Sequence, residues 1–130
     1  MKNIDQALIA RSKAYTPYSH FKVGAAIELK DGTFIHGANI ENASYGLSIC
    51  AERSAMVSLL SQGYKKEDIV SMTIIADDKG PVSPCGACRQ FMHEILPKHT
   101  KITLANTKGE TMETTKDALL PYAFVMDDKK

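Results

Sequence analysis

All three cysteines of this chain fall in two short segments, Cys50-Ala51-Glu52 and Pro84-Cys85-Gly86-Ala87-Cys88. Three thiolates suit zinc. Three protein ligands leave one of its four positions open, as in catalytic rather than structural zinc sites. Glu52 follows the first candidate ligand by two residues. That spacing does not share a helix face, so Glu52 is poorly placed as a fourth ligand. It can still reach a water held in the open position. Zinc brings the pKa of such a water towards neutrality, and a neighbouring carboxylate can carry the proton away. The pattern implies metal-assisted chemistry on a small substrate.

Two plainer readings compete. Cys85 and Cys88 have the spacing of a redox pair, but that reading leaves Cys50 idle. A closed structural zinc would need one of His20, His36, His93 or His99. Of these, only His93 is near a cysteine, and it lies round the helix from Cys88. His93 and His99 are expected to be solvent-exposed.

Both clusters are predicted to open helices. Ser48 is the expected cap of one helix, which carries Ala51, Ala55, Met56, Leu59 and Leu60 inward and ends at Gln62-Gly63. Ser83 is the expected cap of the next, with Pro84 in its first turn and Pro97 at its stop. The positive end of each helix favours thiolate over thiol. The apolar run at 70–76 reads as a buried central strand between them.

The rest of the chain supplies the frame. Residues 4–14 read as a helix with Asn3 as cap, Gln6 at the capping-box position, and Ile4, Ala7 and Leu8 in its apolar stripe. Strands are predicted at 21–29 and 33–40, joined by the hairpin signal Asp31-Gly32. Residues 41–48 read as a loop. Strands at 102–105 and about 110–114 and a short helix at 115–120 complete the pattern. The order α-β-β-α-β-α-β-β-α predicts an α/β fold, a three-layer α/β/α sandwich around a mixed five-stranded sheet.

At 130 residues, 44% apolar and 24% charged, the chain reads as one globular domain, residues 1–130. No stretch is long and apolar enough to span a bilayer, and the first residues lack a secretory core. Clustered cysteines and an odd cysteine count fit a reducing compartment, so a cytoplasmic protein is expected. A net charge of +1 without a dense basic run argues against nucleic acid as a partner.

Further segments surround the cysteines: Phe21-Lys22-Val23-Gly24-Ala25-Ala26, Asn39-Ile40-Glu41-Asn42-Ala43-Ser44-Tyr45-Gly46, Arg53, Arg89-Gln90, and Leu119-Leu120-Pro121 with Phe124. Together they resemble the small homotetrameric cytidine deaminases of the cytidine/deoxycytidylate deaminase family, in the three-cysteine form of the zinc deaminase signature. The resemblance extends along nearly the whole chain. It implies one Zn2+ per subunit on Cys50, Cys85 and Cys88, with Glu52 as proton shuttle. The implied reaction is hydrolytic deamination of cytidine and 2′-deoxycytidine to uridine and 2′-deoxyuridine, releasing ammonia, in pyrimidine salvage. A zinc-activated hydroxide would attack C4 of the ring.

The resemblance also implies substrate contacts. The backbone at Ala51 would meet the base amide edge. Asn39 and Glu41 would hold the ribose hydroxyls, Phe21 and Phe124 would pack on base or sugar, and Tyr45 would face a neighbouring subunit. Arg53 would donate to thiolate sulfur. That role has its own electrostatic reason: three thiolates and Zn2+ sum to −1, and a guanidinium donor restores Lewis acidity. Glu41 would repel a 5′-phosphate, which favours a free nucleoside. Two alternatives stay open: a sibling enzyme acting on a cytosine-nucleoside antibiotic of the blasticidin S type, and a non-catalytic zinc-binding interaction module.

Overall fold

The computed structural model describes residues 2–126. Helix α1 (Lys2–Arg11) buries only Ala7 and Ala10, so its backbone lies close on the sheet. Gly24 makes that approach possible: a Cβ there would stand 2.3 Å from the Ala7 carbonyl oxygen. Strands β1 (Val23–Leu29) and β2 (Phe34–Ala38) form an antiparallel hairpin. Gly32 takes φ 88° at its turn, where a side chain would be strained.

Helix α2 (Ala51–Ser61) crosses to β3 (Ile69–Ala76), and α3 (Gly86–Ile95) crosses to β4 (Lys101–Asn106). Strand β5 (Thr111–Thr114) closes one edge, and the single turn α4 (Lys116–Leu119) follows. The sheet order is β2-β1-β3-β4-β5, antiparallel except for β3 with β4. The α2 crossover therefore skips β1, and β2 and β3 run in the same direction on either side of it.

The two faces of the sheet bury different amounts. On the α2 and α3 face, Ile27, Met56, Leu59, Met72, Ile74, Met92, Leu96, Ile102 and Leu104 form the main core. On the α1 face, Ala7, Ala26, Ile75 and Ala105 form a thin one, with Ile4 and Phe34 packed against it. This is the expected α/β sandwich with a mixed five-stranded sheet. Because both faces are covered, residues 24–27 of β1 are all buried rather than alternating.

Several local expectations are corrected. Helix α1 already includes Asn3, so Asn3 does not cap it; its side chain donates to Ser71 Oγ at 3.0 Å and Glu28 Oε1 at 3.3 Å. Gln6 forms no capping box, since its amide oxygen lies 2.6 Å from His36 Nε2. Leu8 and Leu60 sit at the rims of their stripes and are 38% and 40% exposed. His93 is half-buried, not exposed, because Asp117 on α4 pairs with it at 3.0 Å. Strand β1 begins at Val23, leaving Phe21 in the preceding loop. Among the described residues, no helix is long and apolar enough to cross a membrane.

Candidate active site

Helices α2 and α3 start after the C-terminal ends of β2 and β3. Since those strands run the same way, both helix N-termini emerge at one edge of the sheet, where open α/β sheets take their ligands. The caps there are the cysteines themselves. Cys50 and Cys85 have the extended backbone of N-cap residues, and Cys85 Sγ accepts the Cys88 N–H at 3.4 Å, as a serine oxygen would. The expected caps Ser48 and Ser83 are displaced from that role. Ser48 instead accepts from Asn42 N at 3.1 Å, and Ser83 accepts from Arg89. Pro84 precedes the cap and lies outside the helix.

The three sulfur atoms lie within 4.8 Å of one another. Cys50 and Cys85 Sγ are 3.7 Å apart, far beyond a disulfide bond. Tetrahedral bonding to zinc at about 2.3 Å sets sulfurs roughly 3.8 Å apart, so the cluster fits one such ion. Its electrostatics agree. The Cys50 thiol is lowered to about 5, first by its contact with Cys88 and then by Arg53 and Cys85. Cys88, fully buried beside that negative charge, is pushed up.

Arg53 faces the cluster, with Nη2 3.8 Å from Cys50 Sγ and 3.5 Å from the Ser48 carbonyl oxygen. Its Nε is buried without an acceptor, a cationic donor held against an anionic site. Glu52 is 4% exposed. Burial raises its carboxyl pKa, and the charge on Cys50 adds to this. Ala51 is fully buried, its carbonyl against Gly37 of β2.

A pair of backbone hydrogen bonds at 2.9 Å between Ile40 and Ile49 draws residues 39–41 beside Cys50. The resulting cleft of about 440 Å3 is lined by Asn39, Glu41, Tyr45, Ser48, Cys50, Arg53 and Cys85, among others. Asn39 Oδ1 accepts from Val23 N at 2.9 Å, and its amide donates to the Phe21 carbonyl at 2.8 Å. Glu41 Oε1 accepts from the backbone of Tyr18 and Ser19, and Oε2 accepts from Ser19 Oγ. These bonds hold the Glu41 carboxylate below its usual range, the Ser19 hydroxyl most of all.

Residues 2–104 match the family model for the cytidine and deoxycytidylate deaminase zinc-binding region. The chain belongs to the cytidine and deoxycytidylate deaminase family. It is 53% identical to the cytidine deaminase of Halalkalibacterium halodurans over 96% of this chain and 93% of that one. With the Sporosarcina psychrophila cytidine deaminase it shares 46% over 98% and 92%. The crystal structure of cytidine deaminase from Burkholderia pseudomallei superposes with a TM-score of 0.92, at 46% identity, covering 95% of this chain and 97% of that one. The deaminase family is zinc-dependent, and the three-cysteine cluster is where this member can take the ion.

Not every residue singled out in the sequence lines the cleft of this deaminase chain. Glu52 and Ala51 lie buried at the start of α2. Phe21, 40% exposed and bonded to Asn39 through its carbonyl, and Phe124, 70% exposed, are not in the cleft lining, whereas Tyr45, 89% exposed, stands in it. Ser19 was missed. Only the turn signal Thr16-Pro17-Tyr18-Ser19 hinted at it, and that signal says nothing of a partner more than twenty residues on.

Proposed function

We propose that this protein hydrolyses cytidine and 2′-deoxycytidine to the corresponding uridines and ammonia. The observation that carries this reading is a buried carboxyl, Glu52, at the head of α2 beside three convergent sulfurs at two helix N-termini. Cys50, Cys85 and Cys88 would hold zinc, which when bound acidifies the attacking water. Glu52 takes a proton from that water as oxygen bonds to C4, and gives it to ring N3. Glu52 then carries the remaining proton of the hydroxyl now on C4 to the exocyclic amine, so that C4=O forms as the C4–N bond breaks and ammonia leaves. A carboxyl moved towards neutrality by burial suits both directions of transfer.

Glu41 and Asn39 would take the ribose hydroxyls. Three protein donors occupy the Glu41 carboxylate. They leave one lone pair on Oε2 for a sugar hydroxyl. Its negative charge, kept by those donors, disfavours a 5′-phosphate. The Ala51 backbone would meet the base amide edge, with Phe21 and Phe124 packing on base or sugar. Arg53 would relieve the charge of the thiolate site.

A homotetramer is part of this reading, supported by two exposed aromatic surfaces, Tyr45 at the cleft and Phe124 on the C-terminal segment. So is a cytoplasmic location, supported by three free cysteines. Ultraviolet loss as cytidine becomes uridine tests the reaction, and mass in solution tests the assembly. The zinc-loaded protein is expected to be active and Glu52→Gln nearly inert. Inactive wild type would refute the substrate, and a fully active Glu52→Gln the mechanism.

A further inference from the structure

We infer that Arg89, together with Gln90 and Lys116, positions the C-terminal segment 115–126 on α3 and thereby presents Phe124 to the nucleoside. This deepens the function proposed above and rests on the base or sugar contact assigned there to Phe124. Apolar burial does little to hold the segment. Of its side chains only Leu119 is buried, while Tyr122, Phe124, Val125 and Met126 are 65% exposed or more.

Polar contacts to one side of α3 hold it instead. Lys116 Nζ donates to the His93 and Leu96 carbonyls, both at 2.8 Å, where its charge meets the negative end of the helix. Asp117 pairs with His93 at 3.0 Å. Arg89 Nη1 donates to the Leu119 carbonyl at 2.8 Å, and Gln90 Nε2 to the Phe124 carbonyl at 3.0 Å. Residues 89, 93 and 96 recur at helical spacing, so α3 sets the register of the segment.

Arg89 does more than hold the segment. Its Nε donates to the Pro84 carbonyl at 2.9 Å and its Nη2 to Ser83 Oγ at 2.8 Å. One guanidinium therefore joins the residues just before Cys85 to the end of α4. All three of its partners are neutral oxygens, so the contact is geometric rather than an ion pair. The planar fork addresses three acceptors in fixed directions; a lysine ammonium cannot. The clamp lies within one chain. It acts alike whether Phe124 meets the nucleoside of its own chain or of a neighbouring copy.

The test uses the zinc-loaded protein with Arg89→Lys, Phe124→Ala and the double variant. Backbone hydrogen exchange over residues 119–125, zinc content, and kcat and KM for cytidine are measured. Arg89→Lys is expected to keep one zinc per chain, speed exchange in the segment, and raise KM about tenfold with kcat little changed. That is the signature of lost ground-state binding from one aromatic contact. Because Arg89 acts through Phe124, Arg89→Lys is expected to add nothing in the Phe124→Ala background. Unchanged exchange, or additive KM effects, would overturn the proposal. If Phe124→Ala itself leaves KM unchanged, the Phe124 contact fails and the inference with it, while the exchange data still report whether the clamp exists. Should Arg89→Lys fold poorly, Gln90→Ala cuts only the bond to Phe124 and is expected to move exchange and KM in the same direction, by less. No movement in either would overturn the proposal.

Discussion

Gly37→Ala tests whether the backbone position of α2 sets the metal cluster. A Cβ at Gly37 would stand 2.3 Å from Ala55 N, 2.4 Å from the Ala51 oxygen and 2.7 Å from Ala55 Cα. All three are main-chain atoms, so no side chain can swing aside. Ordinary contact begins near 3.4 Å, and α2 must therefore retreat from β2 by about 1 Å. The first turn of α2 carries Cys50, Glu52 and Arg53. A metal site tolerates ligand distances to within about 0.2 Å, and a misplacement of about 1 Å costs on the order of 100-fold in rate. The Cys50–Cys85 sulfur separation of 3.7 Å would open by a substantial fraction.

The paired control is Gly24→Ala on the opposite face. It makes the same steric demand on α1, 2.3 Å from the Ala7 oxygen and 2.4 Å from Arg11 N, and α1 carries no candidate site residue. Both substitutions are expected to cost about 1–3 kcal/mol in thermal or urea unfolding. Only Gly37→Ala is expected to lose zinc, measured with a chromogenic chelator, and about 100-fold in kcat/KM for cytidine. Gly24→Ala protein that folds is expected to keep both. Wild-type zinc content and kcat/KM in Gly37→Ala would refute the reasoning, as would equal zinc loss in the two variants.

Two further outcomes are expected. Burial raises the Glu52 pKa above 4.5, so the folded chain holds a proton that the unfolded chain has released. Below the unfolded pKa the carboxyl makes no difference to stability; above it, stability falls as pH rises to the folded pKa. Metal-free Glu52→Gln is therefore expected to melt higher than metal-free wild type at pH 7, by roughly 3–6 °C if the relief is about 1 kcal/mol. The gap should close on acidification to pH 4, and a gap independent of pH would refute the cause. Arg53→Ala is expected to keep the fold and lower kcat by about tenfold or more through the thiolate site. Unchanged kinetics would overturn that role.

What the sequence revealed was mostly local. The hairpin at Asp31-Gly32 and the helix end at Gly63 were legible because a tight turn needs a positive φ, and both glycines take it. The Cys85/Cys88 pair was legible because three residues bring two side chains to one helix face. The errors were local too where two residues competed for one role. Ser48 and Ser83 are better caps by propensity, yet the cysteines hold the cap positions, and Cys85 sulfur takes the amide that a cap oxygen would have taken. Nothing in the local sequence marks Gly24 and Gly37 as points of close contact. Their purpose, a helix backbone pressed on each, appears only once both layers are in place.

The meeting of the two cysteine clusters is a different kind of fact. Cys50 and Cys85 are 35 residues apart, and neither spacing nor periodicity brings them together. Strand order does. Because β1 pairs with both β2 and β3, those two strands share a direction, and the helices that follow them start at the same edge. Had β3 run antiparallel to β2, α3 would have opened at the far edge, about the length of a strand from Cys50, and no ion would span the gap. The same topology explains why the thiolates need no basic cluster. Two helix N-termini and one arginine converge there, and the caps of those helices are the ligands themselves. Binding the metal and capping a helix thus meet in Cys85, whose sulfur also accepts the Cys88 N–H, so Cys85→Ala removes a candidate ligand and a cap bond together, whereas Cys50→Ala, whose side chain makes no cap bond, removes a candidate ligand alone.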